Sequence, residues 1–233
     1  FHMNILLFLP GFIYVMVKLK GPIFTIFQII IIFLIQIILP SPFIMTNAEN
    51  YFKRSYDFTR TFDYVETVNW RMVPENVFNN PAFHKLLLIT HLCLLVIFLL
   101  VKWEKISFNF FKNMRLDDWS INAKLMNVDK THIVKVMFIC NFLGIICARS
   151  LHSQFSIWYF HTLPFLIWQT RLLTVFKVVL MIAFDYSWFA EKNIYPSVTL
   201  LIIHFILLIS LLFFEKKDER KEDEKKKDIH KIN

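Results

Sequence analysis

The sequence predicts an all-α, polytopic membrane protein, and two observations support that class. Of its 233 residues, 56% are hydrophobic and 27 are Phe, whereas only 3 are Gly. This composition differs strongly from that of soluble globular domains. In addition, the apolar residues occur in blocks close to the roughly 20 residues that a helix needs to cross a bilayer. We therefore expect a multi-spanning helical protein.

Seven apolar blocks divide the chain, each bounded by Pro, Lys, Arg or a polar cluster. They cover residues 4–17, 22–40, 84–102, 132–148, 157–169, 172–189 and 196–214. About seven transmembrane helices are therefore expected within residues 1–214. Pro10 and Gly11 interrupt the first block, and Pro164 interrupts the short fifth block, so either block is a candidate for a partial or re-entrant segment.

The distribution of positive charge predicts the orientation of these helices. Lys and Arg are concentrated in segments 18–21, 103–131, 170–171 and the tail after Phe214. By the positive-inside rule these segments face the cytoplasm, which leaves two loops, near 41–83 and 149–160, on the luminal side. The charged tail, residues 215–233, has almost no apolar content, so we expect it to be disordered and cytoplasmic.

Several function classes are disfavoured by the residue pattern. Although the net charge is +8, the basic residues form no face interleaved with stacking aromatics, which argues against a nucleic-acid partner. The three cysteines lie inside apolar blocks without CxxC spacing, which is typical of buried thiols. Gly-rich phosphate loops and the HExxH and GxSxG motifs are absent from the sequence.

The loop near 41–83 contains one group of candidate functional residues. Asp57, Arg60, Arg71 and Glu75 stand there among many aromatic residues. Such residues would lie at headgroup level, where a lipid-linked phosphate would be found. The alternative interpretation is an aromatic belt that only sets the depth of the chain in the membrane.

A second group lies between Arg149 and His161. Arg149, His152, Tyr159 and His161 occur at a predicted membrane boundary, where polar groups are costly unless they face a cavity or pair with one another. The alternative is that the histidines bond to backbone carbonyls. His152 and His161 are nine residues apart and so lie on opposite faces of a helix, which argues against a shared metal ion.

Five strings suggest a family: MNILLFLPG at 3–11, YFKRSYDFTRTF at 51–62, TVNWRMVPE at 67–75, FH at 83–84 and ARSLHSQFSIWYFHTLPFLIW at 148–168. In this order and spacing the chain resembles the dolichyl-phosphate-mannose-dependent α-1,3-mannosyltransferases of the endoplasmic reticulum, the Not56-like family of asparagine-linked glycosylation. The resemblance runs to about Trp168 and more loosely to the last helix. The specific part is NWR-x-x-PE together with LH-x-QF-x-x-WYFHTLP.

The resemblance implies a lipid-donor glycosyltransferase of the endoplasmic reticulum membrane. Mannose would pass from dolichyl-phosphate mannose to the five-mannose, dolichyl-pyrophosphate-linked oligosaccharide during N-glycan precursor assembly. A carboxylate would take the proton of the acceptor hydroxyl, and cations would hold the departing phosphate. No metal or cofactor is expected, because Arg and His can neutralise the phosphate. The partners would be both dolichyl-linked substrates and membrane lipid.

Under this interpretation the candidates for binding the donor phosphate and the acceptor are Arg60, Arg71, Glu75, Arg149, His152, Tyr159 and His161. The catalytic carboxylate is expected upstream of Phe1, with Asp57 as an alternative. The chain would then be the C-terminal part of the enzyme and inactive in isolation.

Two other functions stay open at the level of sequence. A sister transferase with a different dolichyl donor or acceptor would use the same donor chemistry. A transporter or lipid-binding scaffold would instead show charges at the bilayer midplane and inverted repeats, and neither feature is evident.

Overall fold

The computed structural model describes residues 3–55, 64–103 and 130–214, and these residues contain nine α-helices and no β-strand. The helices are α1 (Leu9–Lys20), α2 (Pro22–Ile38), α3 (Ser41–Ser55), α4 (Glu75–Phe78), α5 (Pro81–Phe98), α6 (Lys130–Ile146), α7 (Leu163–Trp168), α8 (Thr174–Phe189) and α9 (Ile194–Phe213). Short 3₁₀ helices cover Met3–Phe8 and Ser153–Trp158, and a π-helical turn, Leu99–Trp103, extends α5. The predicted all-α class is confirmed.

A helix is present in each of the seven apolar blocks, but the helices differ greatly in length. The fifth block contains only the six residues of α7 after a 3₁₀ turn. At 1.5 Å per residue, α7 is far too short to cross a bilayer, which agrees with the alternative of a partial segment.

Two of the described helices are long and apolar enough to span a membrane. They are Pro81–Trp103, which combines α5 with the π-helical turn, and α9. The pair α2 and α3 passes the same test jointly but bends by 87° at its junction, so it counts as at most one further span. The described residues thus contain two or three candidate membrane spans.

The core lies between α6, α8, α9 and residues 153–168. Its fully buried side chains include large aromatic and aliphatic groups, among them Phe98, Phe142, Tyr159, Leu163, Phe184, Trp188 and Leu207. Much of the outer surface of α2 and α5 is Ile, Leu and Phe. Such apolar side chains suit contact with lipid chains rather than water.

Helix α6 packs closely against α1 and the preceding 3₁₀ helix because a glycine stands in each contact. A Cβ added at Gly11 would meet Cys140 Sγ at 3.1 Å, and one added at Gly144 would meet Leu7 Cδ2 at 2.5 Å. Small residues allow close helix packing where lipid supplies no hydrophobic driving force between helices.

We expect Gly144→Ala to lower the free energy of unfolding by about 1–2 kcal/mol, because the new methyl group overlaps the Leu7 side chain. Leu7→Ala opens space at this contact, so the double variant should regain part of the loss. The measurement is thermal unfolding of the detergent-solubilised protein for both single variants and the double variant. Simple additivity of the two losses would show that Gly144 and Leu7 do not compete for this space.

Candidate functional site

Two polar segments from distant parts of the chain pack together beside the core. Residues 64–73 form the first, here called the NWR segment, and residues 148–152 form the second, here called the ARS segment. The backbone N–H of Val68 donates to the carbonyl oxygen of Leu151 over 2.7 Å. Two strings that are widely separated in sequence therefore form one unit.

Asn69 uses both ends of its carboxamide to join the two segments. Its Nδ2 donates to the Ala148 carbonyl, and its Oδ1 accepts from the Leu151 N–H, each over 2.9 Å. The Thr67 hydroxyl donates to the same Oδ1 over 2.8 Å, and the Ser150 hydroxyl donates to Thr67 Oγ1 over 3.1 Å. The side chains of Thr67, Asn69 and Ser150 are buried. Because buried polar groups are costly when unpaired, this network favours a single arrangement of the segments.

Trp70 makes the turn of the NWR segment with a left-handed backbone, at a φ of 57°. Its indole Nε1 donates to the Ala148 carbonyl over 2.9 Å, and its ring packs edge-on against Phe83 with centroids 5.5 Å apart. A non-glycine residue in this region costs about 1–3 kcal/mol, so the surrounding contacts must hold it there. Such strained residues cluster at functional sites.

Arg71 is held at both its backbone and its side chain. Its N–H donates to Ser197 Oγ of α9 over 3.0 Å, and Nη1 donates to the Tyr64 carbonyl over 3.0 Å. The guanidinium carbon lies 4.7 Å from the centroid of the Tyr64 ring, and the Tyr64 hydroxyl donates to the carbonyls of Arg71 and Val73. Since a guanidinium has five N–H donors, these contacts orient the cation while leaving it capacity to bind an anion.

Arg149 and His152 belong to the ARS segment. The Arg149 guanidinium interacts electrostatically with His84 near the start of α5, and the His84 Nε2 lies 2.7 Å from the Phe78 carbonyl oxygen. Partial burial lowers the pKa of Arg149, since desolvation disfavours its charged form. The His152 ring packs edge-on against Phe155 with centroids 5.3 Å apart. Arg149 follows Ala148, whose carbonyl accepts hydrogen bonds from Asn69 and Trp70, and Arg71 follows Trp70. These bonds therefore connect the segments that carry the two arginines.

Tyr159 and His161 occupy different environments. Tyr159 is completely buried, its hydroxyl accepts from Trp188 Nε1 over 3.2 Å, and the same oxygen lies 2.8 Å from His204 Nε2. His161 is exposed, and its ring packs edge-on against Phe138 of α6 at a centroid distance of 6.0 Å. The Tyr159 hydroxyl therefore joins residues 153–162 to α8 and α9.

The remaining predicted residues lie outside this unit. Glu75 is exposed in the first turn of α4. Asp57 and Arg60 lie in residues 56–63, outside the described part of the chain. Within residues 3–55, 64–103 and 130–214, no three His, Cys, Asp or Glu side chains are placed to hold a metal ion together.

Sequence reasoning missed four residues that assemble the site: Thr67, Asn69, Ser150 and Ser197. Each is uncharged and buried, and each bonds to a residue far away in the sequence. Thr67, Asn69 and Ser150 lie inside the quoted strings, which was the available signal, although a neutral polar residue in such a string does not by itself indicate a structural role. Ser197 lies outside these strings, and the sequence gives no signal for it.

The fold and this unit define an integral membrane protein of the helical type, in which hydrogen bonds of Asn69 hold together the two segments that carry Arg71 and Arg149 beside the core. Comparison with known proteins identifies the family. Residues 1–201 match the family model described as ALG3 protein, and the chain belongs to that family. The resemblance expected from the NWR and LHSQF strings is confirmed.

Curated relatives from three organisms agree with this assignment. The chain is 37% identical over 89% of its length to a Dictyostelium discoideum protein named probable Dol-P-Man:Man(5)GlcNAc(2)-PP-Dol alpha-1,3-mannosyltransferase, of which the match covers 46%. A Mus musculus protein with the same name, without "probable", is 36% identical over 84% of this chain and 44% of its own length. An Arabidopsis thaliana protein of that name is 35% identical over 89% of this chain and 50% of its own length. The chain spans about half the length of these relatives. No solved structure matches it.

Proposed function

We propose that this protein is an α-1,3-mannosyltransferase of the endoplasmic reticulum membrane. It transfers mannose from dolichyl-phosphate mannose to the five-mannose, dolichyl-pyrophosphate-linked oligosaccharide in N-glycan precursor assembly. The observation that carries the proposal is the match of residues 1–201 to a family whose curated relatives bear that name. The positive-inside pattern supports luminal loops near 41–83 and 149–160 and a cytoplasmic tail.

Arg71 and Arg149 are proposed to hold the phosphate of the donor. During transfer the bond between the mannose C1 and the phosphate oxygen breaks, and the acceptor hydroxyl oxygen forms a new bond to C1. Negative charge then collects on the departing dolichyl phosphate, where preorganised cations stabilise it most. Supporting this role, contacts with Tyr64 and Ser197 orient Arg71 within the protein itself.

The other candidates take subsidiary roles in the proposal. His152 and His161, together with Arg60, are further candidates for contacts with phosphate or acceptor, and Glu75 is a candidate for the acceptor. Asp57 is the candidate within this chain for the base that takes the hydroxyl proton. Because Tyr159 is completely buried, we propose that it positions residues 153–162 rather than touching a substrate.

Complementation tests the proposed reaction. The gene, expressed from its natural start codon, is placed in a yeast strain that accumulates the five-mannose lipid-linked oligosaccharide, and the size of that oligosaccharide is measured. We expect a shift to six or more mannoses. An unchanged oligosaccharide in cells whose endoplasmic reticulum contains the protein would contradict the proposal and favour a sister transferase or a scaffold.

A second measurement separates the two alternatives. The gene is also placed in strains that accumulate lipid-linked oligosaccharides of other sizes. A sister transferase would extend the oligosaccharide that accumulates in one of these strains. A scaffold or transporter would leave the oligosaccharide unchanged in every strain. Transfer of radiolabelled mannose from dolichyl-phosphate mannose in isolated membranes, followed by linkage analysis of the product, checks the α-1,3 bond directly.

A further inference from the structure

An open cleft of about 530 Å³ adjoins the NWR and ARS segments. Val65 and Glu66 form one wall, Ser153 lies at the start of a 3₁₀ helix in another, and the end of α8 with the connection to α9 completes the lining. The end of α8 contributes Trp188 and Phe189, and the connection contributes Ala190, Glu191 and Lys192. The volume falls within the roughly 300–1,000 Å³ that is usual for small-molecule sites.

The cleft carries both signs of charge. Lys192 Nζ forms an ion pair with Glu66 Oε2, which links the α8–α9 connection to the NWR segment. Their side chains are 32% and 54% exposed, respectively, and Glu191 adds another exposed carboxylate. Two carboxylates beside one ammonium disfavour an anionic ligand. The same groups supply acceptors and donors suited to the hydroxyls of a neutral ligand.

One wall of the cleft is apolar. Phe189 is 71% exposed and Val65 is 60% exposed, although both border the charged groups. A large exposed aromatic ring offers a flat apolar face. A pyranose ring has the complementary character, because its C–H face is apolar and its rim of hydroxyls is polar.

The cleft is continuous with the proposed phosphate-binding arginines along the chain. Glu66 directly precedes Thr67 of the buried network, and Ser153 directly follows His152. The cation-bearing unit and the cleft, which carries both signs of charge, are therefore adjacent along the chain and differ in chemistry. The first suits a phosphate, and the second suits uncharged sugar.

We propose that this cleft is a carbohydrate subsite that binds mannose residues of the acceptor oligosaccharide, an inference that rests on the proposed mannosyl transfer. The carboxylates of Glu66 and Glu191 accept hydrogen bonds from sugar hydroxyls, and Lys192 donates to them. Phe189 packs against the C–H face of one sugar ring. The site thereby selects the glycan part of the acceptor while the arginines bind the donor.

Direct binding tests the subsite without any turnover. The full-length protein is purified in detergent, and the soluble five-mannose oligosaccharide is titrated into it in the absence of donor. Glu191→Gln, Lys192→Gln and Phe189→Ala are compared with the wild type. Glu49→Gln is the matched control, because Glu49 is an exposed carboxylate paired with Lys53 in α3. Thermal unfolding of each variant checks that it is folded.

We expect Glu191→Gln, Phe189→Ala and Lys192→Gln each to raise the Kd for the oligosaccharide about tenfold, the loss of one good contact. The control should leave the Kd unchanged. In membranes, the same variants should raise the KM for the acceptor and leave the KM for dolichyl-phosphate mannose unaltered.

The outcomes separate the subsite from the reaction. A wild type that fails to bind the oligosaccharide, or cleft variants that bind it like the control, would overturn the subsite even if mannosyl transfer is observed. A wild type that binds through the cleft but transfers no mannose would leave the subsite standing and refute the proposed reaction. Cleft variants with a changed KM for dolichyl-phosphate mannose and a normal KM for the acceptor would also overturn the subsite.

Discussion

Asn69→Leu is expected to lower the free energy of unfolding by about 3 kcal/mol, among the largest effects of any single change in this chain. The substitution removes three hydrogen bonds, to the Ala148 carbonyl, the Leu151 N–H and the Thr67 hydroxyl. Buried polar groups that lose their partners cost about 1–3 kcal/mol each. The Ala148 carbonyl keeps one partner, because Trp70 Nε1 still donates to it, so its share of the loss is small. The measurement is thermal unfolding of the protein in detergent.

Asn76→Leu is the matched control for this experiment. Asn76 is exposed, and its Oδ1 accepts from the neighbouring Val77 N–H. Exposed substitutions of this kind usually change stability by less than about 0.5 kcal/mol. Equal melting temperatures for the two variants would show that Asn69 does not hold the NWR segment against the ARS segment.

Arg71→Lys is expected to reduce mannosyl transfer by about 100-fold while leaving the fold intact. Lysine keeps the charge but has three donors on a single nitrogen and lacks the planar fork, so it cannot keep the orienting bond to the Tyr64 carbonyl and offer a phosphate a bidentate contact. Loss of a charge-assisted contact of about 2–3 kcal/mol corresponds to a decrease of this size. The measurement is the rate of mannose transfer in membranes containing equal amounts of each variant.

Arg54→Lys controls for the change of residue type, because Arg54 is exposed on α3. Its transfer rate should match that of the wild type. The melting temperature of Arg71→Lys should stay close to that of the wild type, since the backbone bond to Ser197 does not depend on the side chain. Full activity in the Arg71→Lys variant would remove Arg71 from the phosphate site.

The helical class and the positions of most helices were predictable from local patterns. Long apolar blocks became α2, α5, α6, α8 and α9. The fifth block shows the limit of such patterns: its composition resembles that of the others, yet only Leu163–Trp168 is helical. Pro164 stands at the beginning of that helix, where a missing N–H is tolerated, so the preceding chain takes a different path.

Prediction of the candidate site was partial for a different reason. Arg71 is conspicuous as a charged residue expected at headgroup level, and Arg149 and His152 as polar residues at a membrane boundary, where unpaired polar groups are costly. Tyr159 stands out for the same reason as Arg149 and His152, yet its hydroxyl lies in the core beside Trp188 and His204. Whether a side chain near a helix end faces a cavity or the core depends on its neighbours from other helices.

The sequence by itself determined the membrane class, the family and the cationic candidates, because these depend on composition and on strings that are read locally. Only the tertiary structure decided that the NWR and ARS segments form one unit and that a cleft with charges of both signs lies beside it. The physical reason is that Asn69, Thr67 and Ser150 act through hydrogen bonds to distant partners. Such bonds follow no period and carry no charge, so they become visible only when the chain is folded.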